Sequence, residues 1–232
     1  MEDSEKTALK QILDIFMRSA RIDFSHYRQT TIVRRIARRI SLSNTSGYAE
    51  YLTHLQNSPD EIEQLYSDLL LSHTEFFRDP AVFDALQVEV FPCLLENAPP
   101  KAPLRIWVAG CSTGEEVYSL AICLNEYLSE HHLDTTAQFF GTDLNERNIH
   151  TARRAVYTDK ILKTVSQSRI ARYFDRTQGG FRVNKLIREM CIFAVQDVTQ
   201  DPPFPSMDMV SCRNVLIYFD AFLQETVIPL FH

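Results

Sequence analysis

The feature that most constrains the fold is a change of pattern at residue 104, where short apolar runs begin to alternate with helix-like segments. Four runs have the length and composition of strands: LRIWVAG (104–110), AQFFGTDL (137–144), CIFAVQDV (191–198) and MDMVSCRN (207–214). The first two are each followed by a segment with helical periodicity. Strands that alternate with helices form a mostly parallel sheet covered on both faces. The sequence therefore predicts an α/β fold here.

A segment at about 157–192 interrupts this alternation. It contains Gly179-Gly180 between two stretches in which apolar and polar residues alternate. A glycine pair between such stretches is typical of the tight turn of a β hairpin. We therefore predict a small antiparallel hairpin inserted into the α/β domain.

The chain before residue 90 has helical periodicity and no strand-like alternation. The predicted helices are EKTALKQILDIFMRSA (5–20), HYRQTTIVRRIARRI (26–40), SGYAEYLTHLQ (46–56) and PDEIEQLYSDLLLS (59–72). Asp23 or Ser25 is expected to cap the second helix, and Ser58 followed by Pro59 fits the start of the fourth. The proline-rich segment ENAPPKAP (96–103) is typical of a linker. We predict a helical domain over 1–90 and an α/β domain over 91–232.

Composition excludes several classes of protein. The net charge of −6 argues against a general nucleic-acid binder. No run approaches the roughly 18 apolar residues of a membrane helix, and the start MEDSEKTALK is too acidic and polar for a signal peptide. We expect a cytoplasmic protein that does not insert into the membrane. The five scattered cysteines indicate buried, reduced thiols rather than disulfides or a metal site, and we expect no bound metal.

The turn GCSTGEE (110–116) fits two different motifs. As G-x-S-x-G it would present Ser112 as the nucleophile of a serine hydrolase. That motif needs strands before it and an acid and then a histidine after it, in suitable positions. Only helices precede Gly110, and the later histidines stand too close to the turn, within a helix or at the last residue. The hydrolase interpretation is therefore disfavoured.

The same turn suits a nucleotide site at the carboxyl end of a strand, because Gly110 and Gly114 let backbone approach a ligand closely. No lysine follows Gly114, so the turn is not a P-loop. Glu115 and Glu116 would repel a pyrophosphate and attract a cation, although both also suit the first turn of a helix. Asp143, at the end of the second strand, is placed to hold a ribose. This combination indicates S-adenosylmethionine, a nucleoside that carries an ammonium and a sulfonium group.

Four ordered segments carry a family resemblance: SHTEFFRDP (72–80), RIWVAGCSTGEEVYSLAI (105–122), GTDLNERNIHTAR (141–153) and SCRNVLIYFD (211–220). Together they resemble the CheR family, the chemotaxis-receptor glutamate O-methyltransferases. The resemblance implies a Rossmann-like S-adenosylmethionine-dependent methyltransferase sheet, a small all-helical domain before it and a small antiparallel β hairpin insertion. Because the family's sheet continues through further strands, we expect C-terminal strands to be missing from this chain.

The resemblance also implies roles for individual residues. It places these at the cofactor: Thr74, Arg78, Ala109, Glu115, Asp143, Leu144, Asp197, Val198 and Asn214. Ala109 and Glu115 would contact its methionine end, Asp143 its ribose and Leu144 its adenine. Asp197-Val198 stands where many members have Asn-Leu, and an aspartate can accept from the adenine amino group but cannot donate through an amide.

Two residues are predicted to act in the transfer step. Arg78, at the end of the TxFFR motif, would orient the substrate carboxylate by charge-assisted hydrogen bonds. Tyr218, together with Asn214, would line the region of the transferable methyl group. Phe76 and Phe77 of the same motif are expected to pack between the domains.

The second predicted helix carries four arginines between apolar residues at helical spacing: Arg34, Arg35, Arg38 and Arg39. They form either an ordinary solvated face or a docking surface for something acidic. The resemblance makes the cytoplasmic helices of chemotaxis receptors the expected partner, with no nucleic acid. In the family the hairpin insertion can bind a peptide at a receptor C-terminus. Whether this insertion does so, and which oligomeric state the protein adopts, stays open.

Two other functions remain as alternatives. One is a non-catalytic signalling module that binds S-adenosylmethionine or S-adenosylhomocysteine, and the sequence does not exclude it. The other is an RNA or small-molecule methyltransferase of the same fold, which fits poorly with the acidic net charge.

Overall fold

The computed structural model describes residues 3–20, 23–70, 74–97 and 102–231. The chain forms two compact units, one of Met1–Leu71 with Val215–Leu230 and the other of Ser72–Asn214 with Phe231. The first boundary between the units lies at residue 71. The helical periodicity and the proline-rich linker had placed it at residue 90. The difference arises because Phe76 and Phe83 belong to the hydrophobic core of the second unit.

The first unit is helical, as the sequence predicts. It contains α1 (Asp3–Ala20), α2 (Gln29–Leu42), α3 (Tyr48–Asn57) and α4 (Pro59–Leu69), and, from late in the chain, α11 (Ala221–Val227). Ser58 accepts a hydrogen bond from the Glu61 N–H, which confirms it as the cap of α4. The predicted cap of α2 is wrong, because α2 begins only after Arg28 and has no side-chain cap. Asp23 instead accepts from the Ser25 backbone N–H at 2.8 Å.

A buried ion pair joins α2 to α4 inside this unit. Arg39 donates two hydrogen bonds to the Glu61 carboxylate, at 2.9 and 2.6 Å, and the Tyr51 hydroxyl donates a third at 2.7 Å. The side chains of Arg39 and Glu61 are only 13% and 9% exposed. Burial opposes ionisation of Glu61, but the hydrogen bonds from Arg39 and Tyr51 outweigh it and lower the pKa of this carboxyl group. Arg39 is therefore a structural residue of the helical unit.

Arg39→Met is expected to lower the free energy of unfolding of this unit by about 3 to 5 kcal/mol at neutral pH, because it leaves the Glu61 charge buried and unpaired. The pairing stabilises the wild-type unit above the unfolded-state pKa of Glu61, near 4.5, and is lost as the pH falls through the lower folded-state value. Urea unfolding, with hydrogen exchange of α2–α4 amides to locate the loss, measures the effect. Arg38→Met is the control, since the Arg38 side chain is 61% exposed. Equal losses in the two variants would contradict the prediction.

The second unit contains a parallel sheet of four strands, β1 (Leu104–Ala109), β2 (Ala137–Asp143), β6 (Cys191–Val195) and β7 (Met209–Ser211). Their order in the sheet is β6-β2-β1-β7, and every pairing is parallel. The helices of this unit are α5 (Pro80–Ala85), α6 (Phe91–Glu96), α7 (Glu115–Glu130), α8 (Glu146–Arg154), α9 (Gln167–Tyr173) and α10 (Lys185–Glu189). The predicted α/β fold is confirmed. Because the sheet is parallel, the carboxyl ends of β1, β2, β6 and β7 meet at one edge.

The insertion is a separate antiparallel sheet. The predicted hairpin consists of β4 (Phe174–Thr177) and β5 (Gly180–Val183), joined at Gly179-Gly180. A third strand that the sequence analysis did not predict, β3 (Val156–Tyr157), pairs with β5 on its other side. Pairing on both sides of β5 lets Phe181 and Val183 be buried in the unit's core.

All five cysteines are free thiols, but Cys93 is exposed, whereas Cys111 and Cys123 are buried.

Over the described ranges, no helix is both long and apolar enough to cross a membrane. Within those same ranges no cluster of three or more His, Cys, Asp or Glu side chains could hold a metal ion.

Candidate cofactor and methyl-transfer site

The glycine turn connects the end of β1 to the start of α7. Gly110 and Gly114 have φ angles of 72° and 95°, in the left-handed region that favours glycine. A Cβ atom on Gly114 would lie 2.8 Å from the Cβ of Ala152 and 3.2 Å from the hydroxyl of Tyr157. The turn therefore needs glycine at position 114 for its conformation and for its packing against α8.

Asp143, the last residue of β2, fastens this turn to the neighbouring strand. Its carboxylate accepts the Ser112 N–H at 2.8 Å on one oxygen. The other oxygen accepts the Asn145 N–H at 2.8 Å and the Asn148 side-chain amide at 3.1 Å. Burial raises the pKa of Asp143 above its ordinary value despite these donors. Asp143 is therefore a half-buried acceptor, held by three donors at the edge of the sheet.

The two glutamates at the start of α7 have different surroundings. Glu116 accepts the Ser211 hydroxyl at 2.6 Å and lies 3.6 Å from the Arg213 guanidinium. Glu115 accepts the hydroxyl of Thr113, which approaches both of its oxygens, at 2.8 and 2.6 Å, and a backbone N–H of its own turn. Glu116 thus has a structural role between α7 and β7. Glu115 is the carboxylate with capacity left for a ligand.

The electrostatics of Glu115 favour a cation. Its burial raises the pKa of the carboxyl group, because the ionised form is poorly solvated. A cationic ligand group would remove this penalty, whereas a phosphate would add to it. Half-buried carboxylates at the start of α7 and the end of β2, beside a turn that admits backbone to a ligand, therefore fit S-adenosylmethionine better than a nucleotide phosphate.

The TxFFR motif is held close to this edge by Arg213, which follows β7. One Arg213 nitrogen donates to the Arg78 carbonyl at 2.9 Å and to the Asp79 carboxylate at 2.8 Å. Burial raises the pKa of Glu116, although the Ser211 hydroxyl and the positive charges of Arg213 and Arg78 oppose the shift. Arg213 thus links the backbone of the motif to Glu116 of α7.

The segment after β6 forms its own compact turn. The Asp197 carboxylate accepts the backbone N–H and the hydroxyl of Thr199, at 2.9 and 2.6 Å, and the Gln200 amide at 2.9 Å. The Gln196 N–H donates to the Asp143 carbonyl at 3.1 Å, so this turn begins directly beside β2. Asp197 and Val198 therefore follow the strand next to Asp143, where the adenine contacts were predicted.

All nine predicted cofactor residues lie in the second unit. Seven of them end or follow strands of the parallel sheet: Ala109, Glu115, Asp143, Leu144, Asp197, Val198 and Asn214. Thr74 and Arg78 belong to the TxFFR motif that precedes α5. Tyr218 belongs instead to the first unit, where its carbonyl accepts the Arg28 N–H at 2.8 Å. The predicted docking arginines of α2 also belong to the first unit. Among them Arg34 and Arg38 are exposed, whereas the Arg39 side chain is largely buried.

Sequence reasoning missed the supporting residues around these positions. Thr113, Ser211 and Arg213 were not assigned, and Glu116 was grouped with Glu115 as a carboxylate that attracts a cation or suits the first turn of a helix. Ser211 and Arg213 stand in SCRN, at the end of the fourth apolar run, and this position is the signal that could have placed their polar side chains near the site. Nothing in the sequence pairs them with Glu116, which lies 95 residues before Ser211.

Comparison with known proteins gives consistent matches. The family model described as "CheR methyltransferase, SAM binding domain" matches residues 72–232, and the one described as "CheR methyltransferase, all-alpha domain" matches residues 7–70. An uncharacterized 104.1 kDa protein of Rhodobacter capsulatus is 34% identical over 97% of this chain, which spans only 24% of that relative's length.

Several relatives have functional names. A chemotaxis protein methyltransferase of Borreliella burgdorferi is 29% identical over 98% of this chain and 83% of its own length. One from Listeria monocytogenes is 30% identical over 89% of this chain and 77% of its own length. Since the two family models meet at the observed boundary between the units and cover most of the chain, this protein belongs to the CheR methyltransferase family.

Proposed function

We propose that this chain is a protein-glutamate O-methyltransferase, which transfers a methyl group from S-adenosylmethionine to glutamate side chains of chemotaxis receptors. The observation that carries the proposal is the site at the carboxyl edge of the sheet, where the half-buried carboxylates of Glu115 and Asp143 flank a glycine turn. The names of the Borreliella and Listeria relatives support the receptor as substrate. The cytoplasm, where receptor signalling helices lie, is the proposed location.

The chemistry needs little acid–base assistance. When bound, S-adenosylmethionine supplies an electrophilic methyl group on its sulfonium sulfur. A substrate glutamate is ionised near neutral pH because its ordinary pKa is about 4.3, so an oxygen lone pair is available. The carbon–oxygen bond of the ester forms as the carbon–sulfur bond breaks, and the electron pair of the latter stays on sulfur. No proton is transferred, so the protein must supply alignment and exclusion of water.

Different residues are assigned to different parts of the cofactor. We assign Glu115 and the backbone at Ala109 to the cationic methionine end of the cofactor, and Asp143 to the ribose. Leu144, Asp197 and Val198 are assigned to the adenine. A retained acceptor at Asp197 suits the adenine amino group, although this carboxylate already accepts bonds from Thr199 and Gln200.

Arg78 is assigned to the substrate carboxylate, Thr74 to the cofactor site and Asn214 to the region of the transferable methyl group. A guanidinium presents a planar pair of donors that matches a carboxylate and can hold it in line with the sulfonium. The Arg213 bond to the Arg78 carbonyl supports this role, because it fixes the backbone from which the guanidinium extends. Tyr218 keeps its predicted role at the methyl donor as a separate proposal.

Mass spectrometry of receptor cytoplasmic fragments incubated with the protein and methyl-labelled S-adenosylmethionine tests the function. The expected product is a base-labile methyl ester on glutamate side chains. Isothermal titration calorimetry with S-adenosylhomocysteine runs in parallel. Cofactor binding without ester formation would contradict the proposal and favour the non-catalytic binding module. Absence of binding would contradict the assignment of the cofactor site itself.

Receptor recognition is proposed to involve the exposed arginines of α2. Changing Arg34 and Arg38 together to glutamate is expected to lower kcat/KM for the receptor about tenfold or more at low ionic strength. The reason is that charge complementarity with acidic receptor helices speeds the encounter, and salt screens it. Methylation rates measured over a series of salt concentrations check the prediction, since the difference from wild type should shrink as salt rises.

A charge-matched control lies in the same unit. Lys6 and Lys10 are exposed on α1, so changing both to glutamate alters the net charge equally without touching α2. If this control slows methylation as much as the α2 variant, only total charge matters. If neither variant slows it, the arginines form an ordinary solvated face.

A further inference from the structure

The insertion sheet packs against the TxFFR motif. The Phe76 ring makes edge-to-face contacts with Tyr157 of β3 and Phe174 of β4, at centroid distances of 4.9 and 5.3 Å. The Tyr157 hydroxyl also donates to the Thr113 carbonyl in the glycine turn at 2.7 Å. The insertion therefore supports the candidate site from two sides, the turn and the motif.

Arg169 of α9 adds a charged contact to the next residue of the motif. Its guanidinium carbon lies 4.0 Å from the centroid of the Phe77 ring, well within the range of a cation–π contact. The same guanidinium donates to the Glu126 carboxylate of α7 at 2.7 and 3.1 Å. Glu126 therefore fixes the plane of the arginine that covers Phe77.

Phe77 has a backbone conformation that needs such support. Its φ angle is 52°, which is an outlier for a bulky residue, and Asp79 follows with a φ of 59°. Residues in sparsely populated backbone regions persist where surrounding contacts hold them, and they cluster at functional sites. The Phe77 N–H donates to the Ser119 hydroxyl of α7 at 2.9 Å. Arg169 holds the ring of Phe77, while Ser119 holds its backbone.

We propose that Arg169 is a positioning residue for Arg78, because its guanidinium, fixed by Glu126, holds the Phe77 ring and with it the backbone that carries Arg78. The inference rests on the proposed function, in which Arg78 orients the substrate carboxylate. It assigns the insertion a part in catalysis that does not depend on binding a receptor peptide. Because Arg169 acts through Arg78, replacing Arg78 should reduce the effect on kcat of replacing Arg169.

The test compares Arg169→Met with Arg172→Met in the full chain. Arg172 lies on the same helix, is exposed, and stacks on Tyr173 rather than on the motif. Arg169→Met is expected to lower kcat about tenfold with little change in the KM for S-adenosylmethionine, since a small misplacement of a reacting group is costly. It should also speed hydrogen exchange of the Phe77 amide about tenfold. Arg172→Met should leave both values unchanged.

A double-mutant cycle with Arg78→Lys separates positioning from general loss of structure. If Arg169 acts through Arg78, Arg169→Met has little further effect on kcat in the Arg78→Lys background. Equal losses in both backgrounds would overturn the inference. So would a wild-type kcat in Arg169→Met, whatever its melting temperature.

Glu126→Gln keeps Arg169 over the ring but loosens its anchor, so it should give a measurable loss of kcat that is smaller than that of Arg169→Met. A wild-type kcat in Glu126→Gln would show that Glu126 does not fix the guanidinium, and would overturn the proposal as stated. A wild-type protein that neither binds S-adenosylhomocysteine nor forms the ester would overturn the proposed function itself. An active wild type with an unimpaired Arg169→Met overturns the Arg169 inference alone.

Discussion

Replacing Arg78 by methionine is expected to lower kcat for methyl transfer about 100-fold or more while the protein stays folded. Methionine keeps the apolar stem but removes the fork of donors that would hold the substrate carboxylate in line, and alignment supplies much of the rate enhancement in such a reaction. The Arg213 contact to this residue uses the backbone carbonyl, so that hydrogen bond should survive the change. Single-turnover transfer of labelled methyl groups measures the effect directly.

Two further variants define what the loss means. Arg78→Lys retains the charge without the planar fork and should recover only part of the rate. Arg154→Met removes an exposed arginine from the last turn of α8 and should behave like wild type. A folded Arg78→Met protein with a wild-type rate would remove Arg78 from the mechanism and leave only its neighbours as candidates.

The sequence predicted those parts of the structure that depend on local pattern. The four apolar runs became four parallel strands because runs of this length, separated by helices, have few other ways to be buried. Asp143 could be placed at a strand end for the same reason. The glycine pair at 179–180 marked the hairpin correctly, because a tight turn has strong local requirements.

Contacts between distant residues could not be predicted in this way. Arg38 and Arg39 each follow another arginine of α2 by four residues, so the sequence does not distinguish them. In the structure, however, Arg39 is largely buried against Glu61, whereas Arg38 is largely exposed. The partner that distinguishes them lies on another helix, 22 residues later. Likewise, Glu115 and Glu116 are equivalent in sequence, and only the approach of Ser211 and Arg213 separates a ligand-accessible carboxylate from a structural one. The small strand β3 was missed because two residues carry no periodicity.

Glu115→Gln is expected to weaken binding of S-adenosylmethionine about 10- to 100-fold near neutral pH, because a charge-assisted hydrogen bond to a buried group is worth roughly 1.5 to 3 kcal/mol. Burial raises the pKa of Glu115 in the free protein, so protonation competes with the cationic ligand. Ligand binding favours the ionised form and lowers this pKa again. Affinity of the wild type should therefore increase as the pH rises towards the raised free-state pKa, and should level off above it.

Calorimetric titrations over a pH series check both the size and the sign of this effect. Glu115→Gln should bind weakly at every pH and should lose the pH dependence, since an amide does not titrate in this range. Glu130→Gln is a matched control, because Glu130 is an exposed carboxylate at the opposite end of α7. If Glu115→Gln bound the cofactor as tightly as wild type, the glutamate would be a helix-terminus residue only. The cationic end of the ligand would then have to be recognised elsewhere. A wild-type affinity that fell with rising pH would contradict the assigned charge pairing, even if Glu115→Gln weakened binding.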